Sequence, residues 1–338
     1  MKGLSPLEHT SKLIKEASPL FSYVTGEDIN KFQSNGKFML KKLLGIENIE
    51  SCSVDSNISI EYDAYAEDLK CREIRFSFES EVGVMVPCYL LVPKCRATPP
   101  LIIALHGHST GVHTLIGRAR FPIDTSAIAD QECDFAEQAV SNGYAVLCLE
   151  HRGFGERGGT DCGTSCKELS FRTIMLGRTL IGERVWDAQM ALDIVLKYFG
   201  KLIDANRIIC LGYSGGGTIG INLSALDDRI GMAIIVSSIS SIRASIGAMP
   251  HCPCNYIPYL AKYFDMGNIC QLVAPRRLVV ISGDNDPIFP ISGAIECVSV
   301  ARLAFDAFGA GDNIIHITGS GKHKFYPQEV WNILNKSI

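Results

Sequence analysis

The stretch Ile208-Ile209-Cys210-Leu211-Gly212-Tyr213-Ser214-Gly215-Gly216 decides the architecture. Its first four residues form a short, continuous apolar run, which suits a strand covered on both faces. That run passes directly into Gly212-x-Ser214-x-Gly216 and then a glycine-rich helix start. A serine on so sharp a strand-to-helix turn has strained backbone angles, and side chains two residues to either side would collide, hence the glycines. The helix that follows points its free N–H groups at the serine and favours negative charge developing there. Ser214 therefore reads as a nucleophile on an elbow.

Working outward, further short apolar runs repeat the strand pattern: Leu101–Leu105, Tyr144–Leu149, Met232–Val236, Leu278–Ile281 and Ile314–Ile317. Helical stretches lie between them, at Asp134–Ser141, Arg184–Phe199, Ser292–Phe308 and Gln328–Lys336. The alternation predicts a mostly parallel sheet with crossover helices on both faces. Before it, Ile74, Phe76 and Phe78 alternate with polar residues and Val82 to Val92 forms a second β run, a hairpin around Glu79–Gly83. Hairpin, parallel units and elbow together predict an α/β-hydrolase fold with an eight-stranded sheet. Residues 71–338 form that catalytic domain. Residues 1–70 read as an N-terminal helical extension, whose helical spacing from Ser5 to Leu44 breaks at Gly26 and Gly36. The extension has three available roles: covering the site, packing behind the sheet, or making a subunit contact in a homo-oligomer. Three connections, Ser109–Asp130, Phe154–Ile181 and Ser237–Ala274, are long enough to be lids or binding walls.

A serine needs a base, and the base an orienting acid; in this fold they follow in the order Ser, acid, His. Three histidines lie after Ser214. His316 sits mid-strand, where a core histidine is expected, and His251 precedes the acid candidates. His323 follows the last strand in Gly319-Ser320-Gly321-Lys322-His323, where the fold places its base. The penultimate strand runs into Gly283-Asp284-Asn285-Asp286-Pro287-Ile288-Phe289-Pro290. Asp286 fits the Gly-x-x-Asp-x-x-x-Pro spacing of the acid loop, while Asp284 is the alternative, better suited to capping the turn. An oxyanion hole needs two backbone N–H groups, expected from Gly215 and from His108 in the loop His106-Gly107-His108-Ser109. His106 reads as a loop brace. Tyr213, Phe289 and the His108 side chain are expected to line a substrate pocket.

The 338 residues, 47% hydrophobic and 20% charged, describe an ordinary globular chain with a net charge of -4. No basic block or long apolar stretch points to nucleic acid or membrane as partner; the expected partner is a small-molecule ester. An odd total of 13 cysteines without a signal-peptide core argues for free thiols and a cytoplasmic location. The closest pairs are Cys162/Cys166 and Cys252/Cys254, with no second CxxC-like pair or HxxxH partner, so neither metal nor cofactor is expected. Arg152, Arg157, Arg178 and Arg184 admit two readings: recognition of an acidic substrate group, or bracing by Glu150, Glu156, Glu183 and Asp187. Bracing is preferred.

Leu101–His108, Leu176–Asp187, Ala274–Leu278 and Glu150–Arg157 resemble the acetyl xylan esterase and dienelactone-hydrolase-like branch of the α/β hydrolases. The resemblance spans about Cys71 to Lys336 and implies ester hydrolysis, often deacetylation of carbohydrate. Two positions depart from it: dienelactone hydrolases use a cysteine where this chain has Ser214, and the best-known deacetylases carry Gln where it has Gly215. A peptidase or amidase on the same residues is the second enzymatic reading. A non-catalytic binding protein is the third, and it conflicts with three filled triad positions.

Overall fold

The computed structural model describes residues 5–52, 58–95, 97–159 and 163–336. Among them, nine strands form one sheet: β1 (Ser59–Ala66), β2 (Cys71–Glu81), β3 (Val84–Pro93), β4 (Pro100–Leu105), β5 (Ala145–Leu149), β6 (Asp204–Tyr213), β7 (Met232–Val236), β8 (Arg277–Gly283) and β9 (Ile314–Gly319). Their spatial order is β1-β2-β3-β5-β4-β6-β7-β8-β9. The sheet is mixed: β1 to β3 and the β3/β5 pair are antiparallel, and the remaining neighbours are parallel. The expected hairpin is present, with Glu79 opposite Met85.

The eleven α-helices of the described residues are α1 (Pro6–Glu16), α2 (Ile29–Leu44), α3 (Pro122–Gln131), α4 (Phe135–Ser141), α5 (Cys166–Met175), α6 (Leu180–Phe199), α7 (Gly215–Leu226), α8 (Leu260–Tyr263), α9 (Met266–Gln271), α10 (Ile291–Ala307) and α11 (Pro327–Asn335). Alternate residues of a strand face opposite sides, and β4 shows how this builds two cores. Leu101, Ile103 and Leu105 pack with residues of α6, α7 and α10. Ile102 and Ala104 pack with Phe135 and Ala136 of α4 and Val330 and Leu334 of α11.

Two expectations need correction. The sheet has nine strands rather than eight, because β1 lies inside the stretch read as helical extension. Seven of its eight residues are exposed, so it carries none of the apolar signal that marks a covered strand. The helix break expected at Gly36 does not occur either. Gly36 is buried inside α2, where a Cβ would lie 2.7 Å from a Leu272 methyl carbon. Close approach, not chain termination, explains that glycine. The ends of α2 carry the usual signals: Asp28 accepts from the N–H groups of Asn30 and Lys31, and Gly45 closes the helix at φ 70°. Leu40 and Leu44 of α2 are fully buried in the α6/α7 core, so this part of the extension packs behind the sheet. Among the described residues, no helix is long and apolar enough to cross a membrane.

Candidate active site

Strands β4, β6, β8 and β9 run parallel, so the loops leaving their carboxyl ends gather at one edge. Ser214 follows β6 with φ 53° and ψ -121°, a region unfavourable for a residue with a Cβ. Its conformation is held by the neighbouring strand and by the helix that follows. The Ser214 N–H donates to the Val236 carbonyl at 2.9 Å, and Gly215 opens α7 immediately afterwards. A Cβ on Gly212 would collide with the Gly216 carbonyl, and one on Gly216 with the Leu105 carbonyl. These two glycines are the physical condition for so tight a turn.

Asp286 and His323 arrive on the loops after β8 and β9. His323 Nε2 lies 2.8 Å from Ser214 Oγ, and its Nδ1 lies 2.8 Å from Asp286 Oδ2. The other Asp286 oxygen accepts from the N–H groups of Ile288 and Phe289 at 2.8 and 3.0 Å. Both carboxylate oxygens are therefore occupied, and the side chain is buried. Asp284 does something else: its carboxylate accepts from the Gly321 N–H at 2.9 Å and braces the loop that carries His323. Phe289 stacks on the His323 ring at 5.8 Å between centroids, with Tyr213 on it at 5.5 Å. Both aromatic residues are almost fully buried, so they restrain the imidazole as much as they line a pocket.

The loop after β4 brings His108 beside Gly215, where a Cβ would lie 2.9 Å from His108 Nδ1. At the start of α7, N–H groups lack intrahelical partners, and the His108 backbone nitrogen lies 3.8 Å from where a Cβ on Gly215 would stand. His106 is buried, stacked on the His151 ring at 4.2 Å, with Nδ1 2.8 Å from the Gly107 carbonyl. It is a brace. Burial, with the neighbouring His106, pushes the His151 imidazole well below its ordinary pKa. Glu150 takes the Val112 N–H, and Asp124 binds His113 at 2.9 Å, fixing the rest of the loop.

A cleft of about 350 Å³ opens over Ser214, a size that suits a small ligand. His108, Tyr213, Phe289 and His323 line it, as does a wall from Met249 to Asn255. Gln131 closes one end and accepts a hydrogen bond from the Tyr213 hydroxyl at 3.2 Å. The long connection after β7 was legible as a binding wall, but not which of its residues face the cleft. Gln131 carried no signal at all, since its place depends on how α3 docks.

The arginines brace the interior. Arg152 makes a two-pronged pair with Asp187, at 2.9 Å for each contact, and reaches Glu183 and Glu81. Arg157 reaches Asp187 at 2.7 Å, and Arg178 reaches Glu81 at 2.6 Å. Burial by itself would raise the Asp187 carboxyl, but the charges and hydrogen bonds of Arg157 and Arg152 hold it down at about 2. Arg184 differs: it is buried, and its guanidinium donates to the Arg152 carbonyl and to Cys166 Sγ.

Comparison with known proteins adds the family. Residues 44–241 match the family model described as acetyl xylan esterase (AXE1). The Bacillus subtilis (strain 168) protein named "Putative hydrolase YtaP" is 28% identical over 230 residues, covering 67% of this chain and 74% of that one. A crystal structure of a Bacteroides fragilis NCTC 9343 protein described as a "putative acetyl xylan esterase" superposes with a TM-score of 0.82. The identity is 16%, and 100% of this chain and 96% of that one are covered. A glucuronoyl esterase from Solibacter usitatus gives 0.67 at 18% identity, with 96% and 99% covered. Both structures share the fold, and the match to the family model spans more than half of the sequence. The chain belongs to the acetyl xylan esterase (AXE1) family of carboxylic ester hydrolases.

Proposed function

We propose that Ser214, His323 and Asp286 are the catalytic triad of this esterase, and that its substrate is a small ester such as the acetyl ester of a carbohydrate. The observation that carries this reading is His323 placed 2.8 Å from both Ser214 Oγ and Asp286 Oδ2. Ser214 Oγ attacks the acyl carbonyl carbon as His323 Nε2 takes the hydroxyl proton. The N–H groups of His108 and Gly215 receive the charge that forms on the carbonyl oxygen. His323 then gives the proton to the departing alcohol, leaving an acyl-enzyme. Water, deprotonated by the same imidazole, releases the carboxylic acid and restores Ser214. Asp286 keeps Nδ1–H in place and stabilises the transient imidazolium.

The family described as acetyl xylan esterase supports a short acyl group, and the cleft of about 350 Å³ over Ser214 has room for a small ester. Tyr213 and Phe289 contact the substrate's apolar part. Residues 71–338 hold the whole apparatus, with α2 of the 1–70 extension packed against its core. The free thiols fit a cytoplasmic setting. A fluorophosphonate probe tests the reading: it labels Ser214, and Ser214→Ala abolishes labelling and lowers ester turnover by several orders of magnitude while the fold is kept. Full turnover in that variant would overturn it. A panel of acetyl esters against peptide amides distinguishes esterase from amidase.

A further inference from the structure

Three long connections meet at one point beside the cleft, each bringing a residue that binds soft metals. His108 comes from the loop after β4, Cys166 from the first residue of α5, and Cys252 and Cys254 from the connection after β7. Their ligand atoms all lie within 4.8 Å of one another. Cys254 Sγ is 3.4 Å from His108 Nε2 and 3.3 Å from Cys252 Sγ. In a tetrahedral zinc–thiolate site the ligand atoms are about 3.7 Å apart, given zinc–sulfur bonds of ~2.3 Å. Small side-chain movements convert one arrangement into the other. Cys162, the cysteine nearest Cys166 in sequence, lies outside the described residues.

We propose that His108 Nε2 and the sulfurs of Cys166, Cys252 and Cys254 bind one Zn²⁺ as a structural site. Three thiolates and an imidazole form a donor set that selects zinc over hard cations, and four protein ligands leave no position for water or substrate. Binding releases the thiol protons to solvent. Three thiolates with Zn²⁺ leave one net negative charge, which must be matched if the cluster is buried. Arg184 matches it. Its buried guanidinium donates to Cys166 Sγ at 3.0 Å and to the Arg152 carbonyl at 3.0 and 2.6 Å. Its face rests 4.8 Å from the centre of the Phe154 ring, whose edge also meets the His108 ring. The Thr164 hydroxyl donates to Cys166 Sγ at 2.8 Å, the outer hydrogen bond that tunes a metal thiolate.

The site does not depend on which residue is the nucleophile. Its structural effect is to tie the loop carrying the His108 N–H to α5 and to the wall over the cleft. Apart from Cys252-Pro253-Cys254, the ligands come from segments separated by tens of residues, so the two matched pairs that reveal a zinc finger have no counterpart here. Only the fold brings them together.

The test uses the full chain purified without a metal-affinity tag under reducing conditions. Elemental analysis is expected to find about one zinc per chain, and exchange with Co²⁺ the visible bands of a tetrahedral thiolate site with a thiolate-to-metal charge-transfer band. The double variant Cys252→Ser/Cys254→Ser is expected to lose at least nine-tenths of the zinc, while Cys270→Ser, a buried thiol outside the cluster, keeps it. The proposal is overturned if the folded wild-type chain binds less than a tenth of an equivalent after incubation with Zn²⁺. Iron in place of zinc, a native Cys252–Cys254 disulfide, or undiminished zinc in the double variant would each overturn it as well. The wild-type measurements need no variant to fold.

Discussion

Asp286 grips His323 through one carboxylate oxygen, at 2.8 Å from Nδ1, while its other oxygen is held by the backbone of Ile288 and Phe289. Replacing it with Asn keeps the shape and removes the charge. It also puts a donor against Nδ1–H, or forces the wrong imidazole tautomer. Asp286→Asn is expected to lower kcat by about 10³ to 10⁴-fold. Asp284→Asn, at a carboxylate that accepts from the Gly321 N–H and the Asn285 side chain, should cost less than about tenfold. Steady-state ester hydrolysis compares them, and the reverse order would move the acid to Asp284.

The pair Gly215 and His108 makes a second prediction. A Cβ on residue 215 meets the His108 ring at 2.9 Å, so the Gln that the best-known deacetylases carry here has no space. Gly215→Gln must displace that ring and the N–H on the same residue. The expected result is a fall in kcat/KM of at least about tenfold and a stability loss of about 1–3 kcal/mol. Turnover and thermal melting read the two effects separately. Wild-type values for both would mean the ring is free to move.

Gly216→Ala should be far more damaging than an alanine at an uncrowded glycine. Its Cβ would collide with the Leu105 carbonyl, a backbone atom of a central strand, whereas at Gly231 the nearest atom is 3.8 Å away. Gly216→Ala is expected to cost about 4 kcal/mol or more, or to prevent folding, with Gly231→Ala within about 1 kcal/mol. Urea unfolding of both proteins checks the contrast.

Acid should release the Asp187 network. A carboxyl held down at about 2 contributes stability that is complete above the unfolded-state value near 4 and is lost as the pH falls through about 2. The contribution is on the order of 2 kcal/mol. Asp187→Asn removes this pH dependence, takes the carboxylate from Arg157 and leaves Arg152 with Glu81 and Glu183, at a cost of about 3 kcal/mol at neutral pH. Urea midpoints between pH 6 and 2 should therefore converge for the two proteins as the pH drops. Parallel curves would remove Asp187 from the account.

The parallel half of the fold was legible because Leu101–Leu105, Ile208–Leu211 and Leu278–Ile281 are buried on both faces and carry continuous apolar runs. The edge strand β1 is exposed over seven of its eight residues, so its strand signal is confined to the short alternation Ile60-Glu61-Tyr62-Asp63-Ala64 rather than an apolar run. Gly36 shows the converse error: a glycine inside a helix looks like a stop when only chain propensity is considered, and the reason for it stands on Leu272, far away in sequence. Ser214, Asp286 and His323 could be singled out because each must follow a strand in a set order. Gln131, Arg184 and the gathering of Cys166 with Cys252 and Cys254 belong to the docking of long loops, which no local pattern encodes.

The wall from Met249 to Asn255 hangs on a single connection between β7 and β8, whereas Ser214, Asp286 and His323 all lie outside it. One wall of the cleft thus comes from a length of chain that holds none of these three residues, while His108, Gln131, Tyr213 and Phe289 line the rest. Only the exposed part of that connection is open to change, because Phe264, Ile269, Cys270 and Leu272 further along it are buried in the core. A change there must keep Cys252 and Cys254 in register with Cys166, because they are where that stretch is fastened.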